Sequence, residues 1–346
     1  MRLNRSEIDP KPEQDTQLTS QSLVNVQMTI RWGIVSAGMI SHDFVNAMNT
    51  FPDKGDQVIA AVAARDRSRA EEFAKLHGIP TVFDSYQAMA ESTGVIDVAY
   101  IGALNPQHYE LSKLFLKNGK PVLCEKPLCL NYKQSQSLFN FAKEKKLFLM
   151  EAVWSRFAPV YFALEDEINS GKLGDVKLVE VNFGLPRHRS SLGHDGDMGG
   201  SVVMDMGIYA LQFAQFVFKD EPTKVTTVGQ LNDDGVDIIA HIILEYTGGR
   251  RAVLNVDGSI KLWNKATVTG TKGRATVSYI ENVLLHQLVR KAQGLRRWID
   301  PVQHERRVRD RNNRPWGVQK RINRSQVVIK EDMFLYTYYV ILLPPH

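Results

Sequence analysis

The sequence predicts an α/β protein in two parts: an N-terminal doubly wound parallel sheet, then a second α/β domain built on an open, mostly antiparallel sheet. Three observations carry this expectation. Between residues 30 and 153, short all-apolar stretches alternate with helical ones, the pattern of strands buried on both faces of a parallel sheet. A glycine-containing turn, "SAGMIS", ends the first strand and opens the first helix. From about residue 176 the strands lengthen, alternate apolar with polar residues and are separated by Gly and Asp turns.

Taken in order, "IRWGIVSAG" (Ile30 to Gly38) reads as a buried strand ending in a tight turn, and "MISHDFVNAMNTF" as the helix after it. "QVIAAVAARD" (Gln57 to Asp66) is a second strand. "SRAEEFAKLHGI" is a helix with Ser68 as its cap and Gly78 just past its end. "VIDVAYIGA" (Val95 to Ala103) is a third strand. In "NPQHYELSKLFLKNG", Asn105 caps a helix, Pro106 sits in its first turn and Gly119 stops it. "PVLCEK" and "LFLMEAV" (Leu147 to Val153) are the fourth and fifth strands, joined by the helix "YKQSQSLFNFAKEK". Crossovers of this kind are right-handed, which makes a doubly wound sheet the default. The second sheet is read from "VKLVEVNFG", "KVTTVGQL", "DIIAHIILEY", "RAVLNVDGSI" and "KATVTGTKGRATV", with one helix at roughly Ser201 to Phe218.

These readings divide the chain into a disordered polar extension (1–28), a dinucleotide-binding domain (29–152), a substrate and dimerisation domain (153–283) and a basic tail (284–346). The extension has no apolar run of the secretory kind, and the longest apolar run, Met333 to Leu343, is too short to span a membrane. The net charge is +5, yet residues 284–330 alone hold 13 Lys and Arg against three Asp and Glu. The high isoelectric point therefore belongs to the tail. Without interleaved aromatics or a known motif, the tail does not point to nucleic acid. The two cysteines, Cys124 and Cys129, are too close in sequence for a disulfide framework and do not have metal-ligand spacing. Reduced thiols, a cytoplasmic location and no metal are expected.

Four stretches bear chemistry. In "GIVSAGMIS" the fingerprint places of a dinucleotide turn fall on Ser36, Gly38 and Ser41. Gly38 is the place where the backbone nears a pyrophosphate, and the helix opened by Met39 and Ile40 offers its N-terminus to the phosphates. After the second strand, where an NAD site carries a carboxylate, the chain has Arg65, with Arg69 close by. Guanidinium groups suit a ribose 2′-phosphate, so NADP is expected over NAD, with Asp66 as the counter-indication. "CEKP" stands at the carboxyl end of the fourth strand, where ligands bind in open α/β sheets. Lys126 would thus stand over the nicotinamide; the alternative is an ordinary surface lysine.

In "GGSVVMDMGIYALQF", Asp205 and Tyr209 share a helix face at i, i+4. A lysine beside Tyr209 would lower its pKa and make phenolate a usable base; a half-buried structural tyrosine is the alternative. His108 in "NPQH" lies near the same sheet edge, as a site residue or a surface histidine. Trp154, Arg156 and Phe157 in "EAVWSRFAP" wall a substrate pocket or fill the domain junction.

Together these stretches, with "LGDVKLVEVNFG" and "VTGTKGRA" in the same order, resemble the Gfo/Idh/MocA oxidoreductase family over about residues 30–280. Tyr209, where most of that family carries His, is similar to its branch of dihydrodiol and D-xylose dehydrogenases. The resemblance implies a Rossmann domain, NADP as cofactor and a homodimer formed through the open sheet. It implies oxidation of a cyclic trans-dihydrodiol or a pyranose such as D-xylose. By motif, Tyr209 would be the acid/base, Lys126 would lower its pKa, Asp205 and His108 would support them, and Glu125 with Lys126 would meet the cofactor. The tail after "GTKG" departs from the strand and helix that the family carries there. A catalytically weak NADP(H)-binding regulator on the same fold is the second reading, although a pure binder has no use for the Lys126, Asp205 and Tyr209 set.

Overall fold

The computed structural model describes residues 29–50, 56–186 and 200–278. The expectations for the extension 1–28 and for the tail 284–346 lie outside the described residues. The first domain runs β1 (Ile30–Val35), α1 (Met39–Thr50), β2 (Gln57–Ala63), α2 (Arg67–His77), β3 (Thr81–Phe83), α3 (Tyr86–Glu91), β4 (Val98–Ile101), α4 (His108–Lys117), β5 (Val122–Cys124), α5 (Tyr132–Lys145) and β6 (Leu149–Glu151). Its six strands are all parallel, in the order β3-β2-β1-β4-β5-β6. This is the doubly wound Rossmann arrangement, and its strand order reverses between β1 and β4, where such sheets open a ligand crevice. Both faces of the sheet are covered: Trp32, Ile34, Phe44 and Tyr100 pack on one side, Ile101, Phe115, Val122 and Leu138 on the other.

The sequence reading differs from this at several local points. It found five strands and passed over β3 and α3, because three residues at a sheet edge carry too little periodicity to register. The cap of α2 is Asp66, not Ser68: Asp66 is extended and its carboxylate accepts from the Ser68 backbone N–H at 2.9 Å. Gly78 ends α2 in the left-handed conformation, as expected. Asn105 does not cap α4; it opens a 3₁₀ turn, Asn105–Gln107, that leads into the helix.

The second domain has α6 (Pro159–Asn169), which the sequence reading left unassigned, then β7 (Val176–Gly184), α7 (Ile208–Phe218), β8 (Lys224–Leu231), β9 (Asp237–Glu245), β10 (Arg251–Asp257), β11 (Lys265–Gly270) and β12 (Arg274–Ser278). Their order is β12-β11-β7-β10-β9-β8, antiparallel throughout except for the parallel pair β7–β10. One face of this sheet, with Val179, Val181, Ile242, Leu254 and Val268, packs on α6 and α7 through Tyr161, Leu164 and Phe213. Every residue of α7 is buried, which explains its all-round apolar sequence. Truncating Phe213 to Ala there would cost about 3–5 kcal/mol. Alternation turns Leu178, Ile243 and Val253 to the opposite face, where they are only half-buried. Among the described residues no helix is long and apolar enough to cross a membrane.

Candidate active site

The site forms at the carboxyl ends of β1, β4 and β5. The turn after β1 holds Ser36 at φ +84°, a left-handed conformation that the first glycine of a dinucleotide turn ordinarily supplies. At Gly38 an added Cβ would meet nothing nearer than 3.5 Å, so the fold itself does not require glycine there. What it leaves is open backbone in front of the first N–H groups of α1, and that fits a pyrophosphate. The third fingerprint place is Ser41, and here the structure solves the packing from the opposite side. A Cβ on Gly102, just beyond β4, would lie 2.3 Å from the Ser41 hydroxyl. Gly102 therefore supplies the close helix–strand approach that the third glycine of the motif usually provides. The sequence reading missed it, since nothing local to "YIGA" reveals what lies across the sheet. Met39 opens α1 with its side chain 82% exposed, and Ile40 follows it half-buried.

At the end of β2, Arg65 and Arg69 are both exposed, and the Arg69 guanidinium lies 3.5 Å from the Ala37 carbonyl, over the dinucleotide turn. Asp66 is occupied as the α2 cap, donated to by the backbone N–H and hydroxyl of Ser68, which hold its carboxyl below the usual range. Arg67 is engaged in ion pairs with Glu71 and Asp84.

Lys126 follows β5, and its peptide bond to Pro127 is cis. Its ammonium donates to Asp205 twice, to the carboxylate at 2.7 Å and to the backbone carbonyl at 2.8 Å. Asp205 itself lies in a π turn, Val203–Gly207, at the entry to α7. The same ammonium stands 5.3 Å from the centre of the Tyr209 ring. Burial opposes the Lys126 charge, but the facing Tyr209, Asp205 and Glu125 outweigh it and hold the ammonium above its ordinary pKa.

Tyr209 is 8% exposed. The Trp154 indole N–H donates to its phenol oxygen at 2.5 Å, and the rings of Trp154 and Phe183 lie 5.3 and 5.9 Å from its own. Burial pushes the phenol up to about 12; Lys126 and the Trp154 N–H pull it down, while Glu125 and Asp205 push with the burial. The sequence reading expected a net lowering by Lys126. The lysine does act in that direction, and desolvation exceeds it.

The other predicted residues take different places. His108 is 1% exposed and lies between two carbonyls, Pro127 at 2.7 Å and Ala103 at 2.9 Å. Burial lowers its pKa, and a neutral imidazole has a single N–H for these two acceptors. It braces the backbone behind Lys126 from beneath. Glu125 is buried and accepts from the Tyr100 hydroxyl at 2.9 Å, inside the first domain. Trp154, Arg156 and Phe157 share one 3₁₀ turn. Of these Trp154 reaches Tyr209, whereas the Arg156 guanidinium donates to Gln215 at 3.2 Å and lies over the Phe216 ring, in the second domain. Phe183 was not singled out from sequence; its signal is its place as the last inward residue of β7. Among the described residues there is no group of three or more His, Cys, Asp or Glu able to hold a metal.

The comparisons with known proteins agree with this geometry. Residues 30–153 match the model of the oxidoreductase family with an NAD-binding Rossmann fold, and residues 161–276 match the GFO/IDH/MocA C-terminal domain. The trans-1,2-dihydrobenzene-1,2-diol dehydrogenase of Xenopus laevis is 43% identical over 247 residues, 71% of this chain and 74% of that protein. The enzyme of that name from Mus musculus is 39% identical over 251 residues, 72% of this chain and 75% of that protein. Among solved structures, a putative myo-inositol dehydrogenase from Sinorhizobium meliloti 1021 superposes with a TM-score of 0.71 at 20% identity, covering 91% of this chain and 95% of the other. A 3-ketoreductase from Actinomadura kijaniata, in complex with NADP and TDP-benzene, gives 0.66 at 23% identity, over 77% and 90% of the two chains. At those identities the structures speak for the fold alone. With both domains matched in order and relatives near 40% identity across most of the chain, this protein belongs to the Gfo/Idh/MocA oxidoreductase family.

Proposed function

We propose that the chain is an NADP-dependent dehydrogenase that oxidises a carbinol of a cyclic trans-dihydrodiol or of a pyranose such as D-xylose. The observation that carries this reading is the Lys126–Asp205–Tyr209–Trp154 cluster at the crevice end of β5. Bound nicotinamide would accept the hydride at its C4 position. The chain's own residues handle the proton. Tyr209 as phenolate takes it from the substrate hydroxyl as the C–H bond transfers its electron pair and the carbonyl forms. Trp154 donates to the phenol oxygen, a bond that strengthens as that oxygen becomes anionic. Lys126, fixed by Asp205, adds positive charge beside it. His108 and Glu125 hold the segment on which Lys126 sits. Phe183 and Trp154 present apolar faces suited to a ring-shaped substrate.

NADP is favoured over NAD because Asp66 is engaged as a helix cap while Arg65 and Arg69 stand exposed at the end of β2. A homodimer formed through the second sheet is favoured by the half-buried Leu178, Ile243 and Val253 on the face that α6 and α7 do not cover. The relatives named as dihydrodiol dehydrogenases favour the diol as substrate, and a cytoplasmic location goes with two buried cysteines that form no disulfide. The test is NADPH formation from NADP⁺ with trans-benzene dihydrodiol or D-xylose, using Lys126→Met as control. Turnover that the control loses supports the reading. Its absence with both substrates, alongside tight NADPH binding, favours the binding-only alternative.

A further inference from the structure

Behind Lys126 lies a carboxyl group that the oxidation described above does not use. Glu151 closes β6, paired in register with Cys124 at the end of β5. It is 6% exposed. One carboxyl oxygen accepts from the Leu128 backbone N–H at 2.8 Å, two residues beyond Lys126. The other is buried without a hydrogen-bond partner among the described residues. The adjacent Ala152 N–H donates to the Cys124 carbonyl at 2.7 Å, and three residues along from Glu151 the chain delivers Trp154 to Tyr209. Glu151 thus sits at the root of both segments that reach the phenol. A buried carboxyl is costly, and an amide or an apolar side chain would fill the place at lower cost.

We propose that Glu151 is a positioning residue for this oxidation: its carboxyl group clamps the backbone behind Lys126 through Leu128 and sets the charge beneath the Lys126–Asp205–Tyr209 cluster. The inference rests on the reading of that cluster as catalytic. The titratable groups facing Glu151 are Glu125, Lys126 and the thiols of Cys124 and Cys129. Burial raises both thiols, so they stay neutral, which leaves Glu125 and Lys126 as its charged neighbours. Burial pushes Glu151 up to about 7; the Leu128 N–H and Lys126 pull down and Glu125 pushes up. Its charge therefore changes across neutrality. Ionised, it offsets part of the Lys126 charge that Tyr209 feels; protonated, it does not.

The test uses the full chain, in which Pro127–Leu128 is the one Pro-Leu step. Labelling proline with carbonyl ¹³C and leucine with ¹⁵N isolates the Leu128 amide as a single resonance. It should titrate with a midpoint of about 7 in the wild type and stay flat in Glu151→Gln, which keeps an acceptor for that N–H. A flat wild-type resonance, or the same titration in Glu151→Gln, overturns the proposal. In turnover assays, Glu151→Ala should lose roughly tenfold or more in kcat while its NADPH affinity stays within about twofold, and Glu151→Gln should rescue it. The ratio of kcat/KM for Glu151→Gln to wild type should rise severalfold from about pH 6 to about pH 8.5, because only the wild type gains the opposing charge. Glu151→Ala matching the wild type, or a ratio independent of pH, also overturns it. If the wild type turns over neither substrate, the proposed activity fails, and the amide titration by itself still decides the role of Glu151.

Discussion

The Lys126 ammonium is held by Asp205 at two points, carboxylate and backbone carbonyl, 2.7 and 2.8 Å away, and lies over the Tyr209 ring without being anchored by it. The two residues come from different domains and are 79 positions apart in the chain. The charge that the proposed oxidation uses is therefore fixed by the second domain and presented at the strand end of the first. Removing the charge and removing one of its holders should have different consequences. Lys126→Met is expected to lower kcat by about a hundredfold or more, while Asp205→Asn, which leaves the carbonyl contact in place, should lose less. Steady-state kinetics of the two purified variants, with circular dichroism to confirm folding, check the order; an Asp205→Asn loss equal to that of Lys126→Met would show that the carboxylate matters as much as the lysine and overturn the order.

Trp154 donates its indole N–H to the Tyr209 phenol oxygen, which becomes anionic in the proposed oxidation. Trp154→Phe keeps an aromatic ring beside Tyr209 and deletes the donor. A hydrogen bond to a charged group contributes about 1.5–3 kcal/mol, so kcat/KM should fall roughly 10- to 150-fold. Trp154→His, carrying an N–H of its own, should recover part of the loss.

Because burial pushes the Tyr209 phenol up to about 12, the neutral form prevails in the free protein at physiological pH. The proposed oxidation needs the deprotonated form, so kcat/KM for the alcohol should climb with pH across the neutral and mildly alkaline range. Lys126 pulls that phenol downward, so Lys126→Met should move the rise to still higher pH. The reverse reaction uses the phenol as an acid and should not share this rise. Profiles of kcat/KM in both directions measure it.

Arg65 and Arg69 stand exposed at the end of β2, the place the proposed NADP reading gives to the ribose 2′-phosphate. Replacing either by Ser is expected to raise KM for NADP⁺ by roughly tenfold and to leave KM for NAD⁺ nearly unmoved. Equal losses with both cofactors would place these arginines elsewhere in the mechanism.

The Gly102–Ser41 contact gives a prediction about the fold. An added methyl at Gly102 would come within 2.3 Å of the Ser41 hydroxyl. Gly102→Ala should destabilise by about 1–3 kcal/mol through overpacking, and Ser41→Gly in the same chain should restore much of it, since it moves the glycine back to the usual place in the motif. Thermal melts of the single and double variants give the coupling directly.

Some of this was legible in the sequence, and the reason is locality. The strand–turn–helix at Ile30 to Thr50, the arginines after β2 and a lysine at the end of β5 are statements about neighbours in the chain, carried by periodicity and by turn residues. The edge elements β3 and α3 were lost because three to six residues hold too little pattern. The cap of α2 was misplaced by two residues because Ser and Asp both cap, and only the backbone angle at Asp66 decides between them.

The sequence by itself determined the kind of sheet, the order of its parts and the residue types offered to the crevice. Only the tertiary structure decided which of those residues meet there. It joined Lys126 to Asp205 and Trp154 to Tyr209 across 79 and 55 positions, placed Gly102 against Ser41 at the third fingerprint position, turned Arg156 to Gln215 and tied Glu125 to Tyr100. It also reversed the net direction of the Tyr209 shift. Desolvation is a property of everything packed around a group, and no pattern along the chain encodes how completely water is excluded from it.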